Sequence, residues 1–302
     1  MKEKYNYLKN KYPGSIFFDE SLSKYNWFNL GGPAEIFYRP KDENELLNFL
    51  KNEGQIFDNI NILGAGSNTL IRDGGVTDLT IKLSSKFSYI KKIKENLIEV
   101  GAATLDKKIS DFASINSITG MEFLACIPGS LGGAIVMNSG CYNNEISSLI
   151  HSIKIIDFKG NKKEIKKSEL EFFYRGSSLP KHYLIISAIL KGKTGNRNEI
   201  EKKQLEMIKK KKLTQPSRVK TCGSTFKNPP NEKAWNLIKR SNCENLSVGS
   251  AKLSTKHSNF LINEGTASSK EIEDLIKKVK KQVLNVTGVE LDLEIKVIGE
   301  KN

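Results

Sequence analysis

The chain has 302 residues, enough for about two domains of roughly 150 residues each. Apolar residues make up 38% and charged residues 27% of it, a composition that excludes a disordered chain, a collagen and a small disulfide-rich protein. The net charge of +14 comes mainly from lysines spread along the sequence, which indicates a lysine-rich solvated surface and also favours anionic partners such as phosphorylated small molecules.

The first part of the chain predicts short elements of both kinds. Residues 42–52 predict a helix that is acidic at its start, and residues 61–63 predict the end of a buried strand. Strands are predicted at 78–83 and 97–101, and apolar residues at helical spacing predict a helix over 104–116.

The middle of the chain favours strands. A stretch of small residues runs from 128 to 140. Beyond it, strands are predicted at 152–158 and 162–166, on either side of a Gly-Asn turn, and at 183–191.

The residue pattern changes in the last third of the chain, after a hinge-like segment over 194–196. A basic helix is predicted at about 198–212 and an amphipathic helix at 269–286, and strict alternation predicts a strand over 291–297. Helices and strands are thus mixed without regular βαβ alternation, so we expect an α+β protein with a domain boundary near residue 195.

The first glycine-rich loop is Gly64-Ala65-Gly66-Ser67-Asn68, directly after a predicted strand. Its backbone N–H groups could surround a phosphate as an anion-binding nest, with Ser67 and Asn68 as further donors. The loop lacks the third glycine of a dinucleotide fingerprint and the Gly-Lys-Ser/Thr of a Walker loop. An ordinary glycine turn is the alternative interpretation.

A second small-residue loop is Pro128-Gly129-Ser130-Leu131-Gly132-Gly133-Ala134. Three glycines in five residues suit neither a helix interior nor a strand interior, so we expect an irregular loop that approaches a ligand closely. Close packing of two backbone segments is the alternative. Two such loops in one domain favour a dinucleotide cofactor.

Three polar positions could carry chemistry. Arg175 is one of only six arginines and lies among aromatic residues, where it could bind a carboxylate or form a surface ion pair. Ser224 lacks the Gly-x-Ser-x-Gly pattern of a hydrolase nucleophile, so it is either a proton donor or a turn serine. Glu294 lies on the polar face of the last predicted strand and matters only if that face borders a cleft.

The sequence shows no pattern typical of a disulfide framework, a metal site, a membrane span or a signal peptide. The four cysteines form no Cys-x-x-Cys pair, and the three histidines have no metal-ligand spacing. No segment approaches the ~18 consecutive apolar residues of a membrane span, and the N-terminus lacks the apolar core of a signal peptide. We expect reduced thiols, a cytoplasmic location, no metal and no membrane insertion.

Seven segments share their order with a known family and cover nearly the whole chain: NLGGPA at 29–34, GAGSN at 64–68, IPGSLGGA at 127–134, MNSG at 137–140, YRGSS at 174–178, GSTFKNP at 223–229 and LDLEI at 291–295. On these segments the sequence resembles the UDP-N-acetylenolpyruvoylglucosamine reductases of bacterial peptidoglycan synthesis. Leu30 and Leu293 depart from the family's frequent Thr and Pro, and the segment after Arg175 has no room for the extra tyrosine loop, as in the shorter branch of the family.

The resemblance implies a two-part FAD-binding domain of the vanillyl-alcohol-oxidase type, with parts at 1–82 and 83–195, and an α+β domain at 196–302 that binds the UDP-sugar. It implies a reaction in two halves. NADPH reduces the flavin, and the enolpyruvyl double bond of UDP-N-acetylglucosamine enolpyruvate is then reduced to give UDP-N-acetylmuramate. We expect a monomer.

The resemblance also implies roles for single residues. Arg175 and Glu294 would polarise the substrate carboxylate, and Ser224 would protonate the carbon as general acid. Because an ionised Glu294 would repel that carboxylate, we expect it to be protonated when it works or to act through a bridging donor. Lys212 and Asn228 match positions that contact the UDP-sugar. The cofactor contacts would be Gly64, Ala65, Gly66, Ser67, Asn68, Thr69, Pro128, Gly129, Ser130, Gly132, Gly133, Ala134 and Asn138.

Two other functions remain open at this point. Another flavin oxidase on the same scaffold would share both glycine loops but need not keep Ser224 and Glu294. A basic nucleic-acid-binding protein would show steeply salt-dependent affinity and would give no reason for the glycine loops.

Overall fold

The structure, a computed structural model, describes residues 2–180 and 182–301. The chain forms two compact units. Unit 1 contains residues 1–17, 37–65 and 78–211, and unit 2 contains residues 18–36, 66–77 and 212–302. Both units mix helices with mostly antiparallel strands, which confirms the predicted α+β class.

The α-helices of the described chain are α1 (Tyr7–Lys11), α2 (Glu43–Glu53), α3 (Asp106–Ile115), α4 (Leu131–Val136), α5 (Arg197–Thr214), α6 (Ala234–Arg240) and α7 (Ser269–Thr287). Its strands are β1 (Ile16–Ser21), β2 (Pro33–Tyr38), β3 (Ile60–Ile62), β4 (Thr69–Ile71), β5 (Val76–Ile81), β6 (Ile90–Lys94), β7 (Leu97–Gly101), β8 (Ile118–Thr119), β9 (Gly140–Cys141), β10 (Asn144–Glu145), β11 (Ile150–Asp157), β12 (Lys162–Lys166), β13 (Phe172–Phe173), β14 (Gly176–Ser177), β15 (Tyr183–Lys191), β16 (Lys193–Thr194), β17 (Ser247–Val248), β18 (Ala251–Leu253), β19 (Leu261–Asn263) and β20 (Lys296–Ile298).

Unit 1 is built on a five-stranded antiparallel sheet in the order β12–β11–β15–β7–β6. Its central strand β15 is buried along most of its length, which explains why its sequence is an almost continuous apolar run. A second sheet has four strands in the order β1–β2–β5–β3, and its parallel strands β3 and β5 place Ile62 opposite Ile81. The ends of these two strands therefore lie at the same edge, where the first glycine loop begins.

Unit 2 depends on α7, whose apolar stripe is buried as the sequence predicts. Ser268 and Glu271 form a capping box at its N-terminus, and Gly288 at φ 71° ends it in the left-handed conformation. The same unit contains the β17–β18–β19 sheet and the parallel pair of β4 and β20.

The predicted strand over 291–297 is wrong in its first part. A regular strand covers only Lys296–Ile298, and before it Leu293 makes a single bridge to Phe226. The backbone N–H groups of Glu294 and Ile295 both point to the carbonyl oxygen of Thr225, at 2.8 and 3.4 Å. Because two consecutive N–H groups share one acceptor, the regular hydrogen-bond pattern of a strand is interrupted here. The side chains still alternate between more buried and more exposed positions.

The second glycine loop also differs from its prediction, because residues 131–136 form the short helix α4. Leu131 and Ile135 are fully buried, so tertiary packing outweighs the helix-breaking tendency of the glycines. The helix approaches Ala102 closely at Gly132, since a Cβ there would lie 3.3 Å from the Cβ of Ala102.

The two compact units divide between residues 211 and 212, and the domain boundary near 195 stays a prediction. The helix α5 stays with unit 1 because Gln204 donates to Ser110 Oγ at 3.1 Å and to Asp111 Oδ1 at 2.9 Å. Segments 18–36 and 66–77, which the sequence assigns to the first FAD-binding part, belong to unit 2. No helix within residues 2–180 and 182–301 is long and apolar enough to cross a bilayer.

Candidate active site

Ser224 and Glu294 lie on neighbouring backbone segments of unit 2. The N–H of Glu294 donates to the carbonyl oxygen of Thr225 at 2.8 Å, and the N–H of Lys227 donates to the carbonyl oxygen of Asp292 at 2.8 Å. Ser224 and Glu294 are both half-buried. The fold thus brings together two candidate residues that are 70 positions apart in the sequence.

The segment that carries Ser224 is held by Asn259, a residue that the sequence analysis missed. Thr225 N–H donates to the carbonyl oxygen of Asn259 at 2.8 Å. Phe226 exchanges two further bonds with the Asn259 side chain, at 3.0 and 2.8 Å. Asn259 is only 4% exposed, and no local sequence pattern marks it because its partners lie more than thirty positions away.

Part of the first glycine loop contacts the same region of unit 2. The side-chain amide of Asn68 donates to the carbonyl oxygen of Glu294 at 3.0 Å. The Cys222 thiol donates to the carbonyl oxygen of Thr69 at 3.3 Å. Burial raises the pKa of Cys222 to about 12, so this residue remains a protonated thiol near neutral pH.

Gly66 is required by the backbone even without a ligand. Its φ is +68°, and a Cβ would come within 2.1 Å of the carbonyl oxygen of Tyr25 and 2.7 Å of the Cα of Asn26. Close packing of two backbone segments, the alternative considered for the second loop, therefore accounts for this glycine.

The two glycine loops meet within unit 1. A Cβ at Gly64 would lie 3.3 Å from Ser130 Oγ, and the ammonium group of Lys82 donates to the carbonyl oxygen of Gly64. Burial, with a contribution from the nearby positive charge of Arg39, lowers the pKa of Lys82 to about 8. A lysine with a lowered pKa beside two glycine loops would be stabilised by an anionic group.

Lys82 was not among the predicted site residues, although the sequence contained a signal for it. It directly follows β5, as the glycine loop follows β3, and parallel neighbours end at one edge of a sheet. The N–H of Leu63 donates to the carbonyl oxygen of Ile81 at 2.9 Å, which brings the two strand ends together.

The surface beside the second loop suits a flat ring system. Gly133 is exposed, and a Cβ built there would meet no atom of the described chain within 4 Å. Two apolar side chains near this helix are largely exposed, Leu105 at 44% and Val136 at 48%. Open space and apolar surface on unit 1, together with a cation at Lys82, fit the diphosphate and ring of a flavin dinucleotide.

Arg175 lies on unit 1 in the two-residue turn between β13 and β14. Its guanidinium carbon is 4.8 Å from the centre of the Tyr174 ring, and Nη2 donates to the carbonyl oxygen of Gly140 at 3.3 Å. Its φ of +57° is unusual for a residue with a side chain. The structure thus gives Arg175 a defined position on a tight turn.

The other predicted contacts occupy several environments. The amide oxygen of Asn228 accepts the N–H of Ala234 at 3.1 Å, at the start of α6. Lys212 is exposed at the end of α5, and its carbonyl oxygen accepts from Lys256 Nζ at 2.5 Å. The remaining predicted residues follow the elements named above: Ala65 and Ser67 lie in the first loop, Pro128 and Gly129 precede α4, and Ala134 is buried within it.

No group of three or more His, Cys, Asp or Glu side chains in the described parts of the chain could hold a metal ion. All four cysteines are free.

Two family models match the chain. The model for an FAD binding domain matches residues 34–165, and the model for the C-terminal domain of UDP-N-acetylenolpyruvoylglucosamine reductase matches residues 215–298. The first match covers both glycine loops and the second covers Ser224 and Glu294. The expected order of an FAD-binding region followed by a C-terminal domain of this family is therefore confirmed.

Curated relatives are similar to this chain over nearly its full length. The chain is 44% identical over 294 residues to a UDP-N-acetylenolpyruvoylglucosamine reductase of Pelagibacter ubique, with 96% of this chain and 97% of the relative covered. It is 42% identical to one of Rickettsia akari, with 93% and 95% covered. A crystal structure of the Thermus caldophilus reductase superposes with a TM-score of 0.81 at 30% identity, over 94% of this chain and 98% of that one. The chain therefore belongs to the UDP-N-acetylenolpyruvoylglucosamine reductase family and is an FAD-binding oxidoreductase.

Proposed function

We propose that this protein reduces the enolpyruvyl group of UDP-N-acetylglucosamine enolpyruvate to give UDP-N-acetylmuramate, with NADPH as the electron donor, in peptidoglycan synthesis. Family membership supports the reaction. The observation that carries it is the pairing of the Ser224 segment with the Glu294 segment, because a flavin oxidase acting on another substrate has no need for this serine and carboxyl group.

FAD, when bound, supplies the carrier that accepts two electrons from NADPH and passes them on to the substrate. The chain's own part is to hold that cofactor. We propose that the backbone of the first loop, with Ser130 and Lys82, binds the diphosphate, and that the open surface at Gly133 accommodates apolar parts of the cofactor.

Arg175 binds the carboxylate of the enolpyruvyl group in this proposal. A guanidinium stays charged at all relevant pH values and matches a carboxylate with two parallel donors. Reduction of the double bond next to that carboxylate places negative charge on the substrate. A fixed cation stabilises this charge, and most strongly where water is excluded.

Ser224 gives its proton to the substrate carbon. A serine hydroxyl is a weak acid, so its position must be fixed and its conjugate base must be stabilised. Asn259 and the bridge between Ser224 and Phe260 fix the backbone around it. The Cys222 thiol nearby is protonated and donates to Thr69, so we assign it packing and no chemistry.

Glu294 completes the set by holding the same carboxylate or the charge that develops beside it. It does so as a protonated group or through a bridging donor, because two ionised carboxylates in contact repel each other. The Asn68 side chain and the Thr225 carbonyl fix its backbone from two directions.

We further propose that Asn228 and Lys212 bind the UDP-sugar. Asn228 lies four residues beyond Ser224, and its amide also begins α6. Lys212 offers an exposed ammonium group suited to a diphosphate. Four free cysteines and a phosphorylated sugar substrate support a cytoplasmic location, and we propose that the enzyme acts as a monomer.

An anaerobic stopped-flow experiment tests the proposal by following the flavin absorbance in each half-reaction. Ser224→Ala should leave flavin reduction by NADPH within about twofold of the wild-type rate. It should slow reoxidation by the enolpyruvyl UDP-sugar by a factor of about 100 or more. Ser217→Ala, an exposed serine in the same unit, is the matched control.

Three outcomes would contradict the proposal. Equal loss in both half-reactions would remove the proton-donor role from Ser224. Wild-type flavin that the enolpyruvyl UDP-sugar does not reoxidise would favour another flavin oxidase. A colourless protein with steep, salt-dependent affinity for nucleic acid would favour the nucleic-acid-binding interpretation.

A further inference from the structure

The position of the Arg175 guanidinium depends on two short backbone segments of unit 1. One is the hairpin of β13 and β14, in which Phe173 pairs with Gly176 on either side of the turn that carries Arg175. The other is β9, whose residue Gly140 offers the carbonyl oxygen that Arg175 Nη2 contacts at 3.3 Å. A shift of either segment would move the guanidinium.

One buried side chain connects these two segments. Asn138 Nδ2 donates to the carbonyl oxygen of Phe173 at 3.1 Å and to Glu145 Oε2 at 2.8 Å. Glu145 is the residue of β10 that pairs with Gly140. The amide of Asn138 therefore bonds to the hairpin that carries Arg175. It also bonds to Glu145, which pairs with Gly140, the residue whose carbonyl oxygen accepts from Arg175.

The remaining polar atom of Asn138 is also engaged. Oδ1 accepts the N–H of Ser147 at 3.2 Å, and the residue is only 1% exposed. An asparagine amide has two N–H donors, and both have protein acceptors here. Its φ of +41° belongs to the left-handed region, which asparagine tolerates better than most residues.

The arrangement explains how an arginine can be held on a tight turn. Left-handed backbone is unfavourable for a residue with a side chain such as Arg175, so surrounding contacts must enforce it. Without the amide, the carbonyl of Phe173 and the carboxylate of Glu145 would lose a donor that fixes the hairpin to the β9–β10 pair, so the hairpin would be free to shift. A displacement of about 1 Å at a catalytic group can slow a reaction about 100-fold.

We propose that Asn138 is the positioning residue of Arg175. It connects the β13–β14 turn to the β9–β10 pair and so fixes the guanidinium that binds the substrate carboxylate. This inference rests on the proposed function, in which Arg175 meets that carboxylate. It differs from the prediction that Asn138 contacts the cofactor, because both of its N–H donors are bonded within the protein.

The test is a double-mutant cycle between Asn138→Gly and Arg175→Ala. Glycine accepts the left-handed backbone without strain, so the variant removes mainly the amide. Asn138→Asp, which keeps the shape and the acceptor for Ser147 but loses both donors, is the second variant should the first fail to fold. Asn143→Gly is the matched control, because it removes an exposed asparagine with a φ of +62° from the turn between β9 and β10.

Two readouts separate positioning from a general structural role. Calorimetry compares the affinity for UDP-N-acetylglucosamine enolpyruvate with that for UDP-N-acetylglucosamine, which lacks the carboxylate. Stopped flow measures reoxidation of the flavin by substrate. We expect Asn138→Gly to keep full flavin content and to weaken only the carboxylate-bearing ligand, by about tenfold. It should slow reoxidation by about 10- to 100-fold, and in the Arg175→Ala background it should add less than about twofold.

Each contrary result overturns the inference in a recognisable way. Equal effects in both backgrounds would make Asn138 a structural residue that acts independently of Arg175. Loss of flavin from Asn138→Gly would show that Asn138 contacts the cofactor. Wild-type affinity and rate in this variant would show that Asn138 does not position Arg175. If Arg175→Ala itself changes neither readout, the assignment of Arg175 in the proposed function fails, and the positioning role fails with it.

Discussion

The side-chain amide of Asn68 donates a 3.0 Å hydrogen bond to the carbonyl oxygen of Glu294. Asn68 closes the glycine loop that the sequence assigns to the cofactor, and Glu294 is a proposed catalytic residue. The bond reaches across 226 positions of sequence within unit 2. It makes Asn68 a support for the Glu294 backbone, in addition to its predicted contact with FAD.

Replacing Asn68 by Ala should therefore affect substrate reduction as well as stability. Loss of the donor should lower the free energy of unfolding by about 1 kcal/mol. It should slow reoxidation of the flavin by substrate about tenfold, which corresponds to about 1.4 kcal/mol. The backbone bond from Lys296 N–H to the carbonyl oxygen of Asn68, at 2.9 Å, survives in the variant and keeps the register of β4 and β20.

Denaturant titration measures the loss of stability in Asn68→Ala, and stopped flow measures the slower reoxidation. A variant that loses flavin, but reoxidises at the wild-type rate when loaded, would limit Asn68 to the cofactor.

Gly133 offers a sharper test of the cofactor surface than Gly66. Substitution of Gly66 would disturb the backbone at Tyr25 in any case, so a colourless Gly66 variant would not identify a flavin site. A leucine at Gly133 meets no protein atom near its Cβ and replaces a poor helix former, so the apoprotein should be as stable as wild type or slightly more so. The Kd for FAD should rise about tenfold or more if the cofactor covers this surface.

Fluorescence titration of the apoprotein with FAD gives that Kd. Lys108→Leu adds the same side chain at an exposed position of α3 in the same unit and should leave the Kd unchanged. Wild-type affinity in Gly133→Leu would place the cofactor elsewhere.

Lys82 should make FAD binding dependent on pH. Its pKa is lowered to about 8 by burial and by Arg39, whereas a bound diphosphate would raise it. Below pH 8 the ammonium is charged in both states, so affinity should be constant there. Above that pH, binding must also take up a proton, and the Kd should rise by up to about tenfold per pH unit. Lys82→Arg, which stays charged, should bind with a flat profile between pH 7 and about pH 9.5. A flat wild-type profile would separate Lys82 from the diphosphate.

Asp106 should destabilise the protein as the pH rises. Its carboxylate is fully buried, and neither oxygen has a hydrogen-bond partner among residues 2–180 and 182–301. Burial raises its pKa well above the ordinary 3.8, so the folded state binds a proton that the unfolded state releases. The free energy of unfolding should therefore fall by up to about 1.4 kcal/mol per pH unit above about pH 4, until the raised pKa is reached.

The variant Asp106→Asn cannot ionise, so its stability advantage over wild type should grow from pH 4 to pH 8. Thermal unfolding at several pH values measures this difference. Asp58→Asn, at an exposed position of unit 1, is the control for a carboxylate that stays in water. A constant difference between wild type and Asp106→Asn across the range would show that Asp106 is not buried as a proton-binding group.

The sequence by itself determined most of the local structure and the family. Helices α5 and α7 and strands β12 and β15 lie where hydrophobic periodicity and turn residues predict them, because each pattern is contained in one short segment. The ordered motifs identified the family for the same reason, since each is a contiguous run of residues.

Only the tertiary structure decided how distant segments act together. The helix at 131–136 forms despite its glycines, because Leu131 and Ile135 are buried and Gly132 packs on Ala102. The ladder before Glu294 is interrupted because two N–H groups share the carbonyl oxygen of Thr225. Hydrogen bonds and packing between residues far apart in sequence leave no periodic trace. The support at Asn259 and the hydrogen bonds that connect Asn138 to two other segments therefore become visible only when the chain has folded.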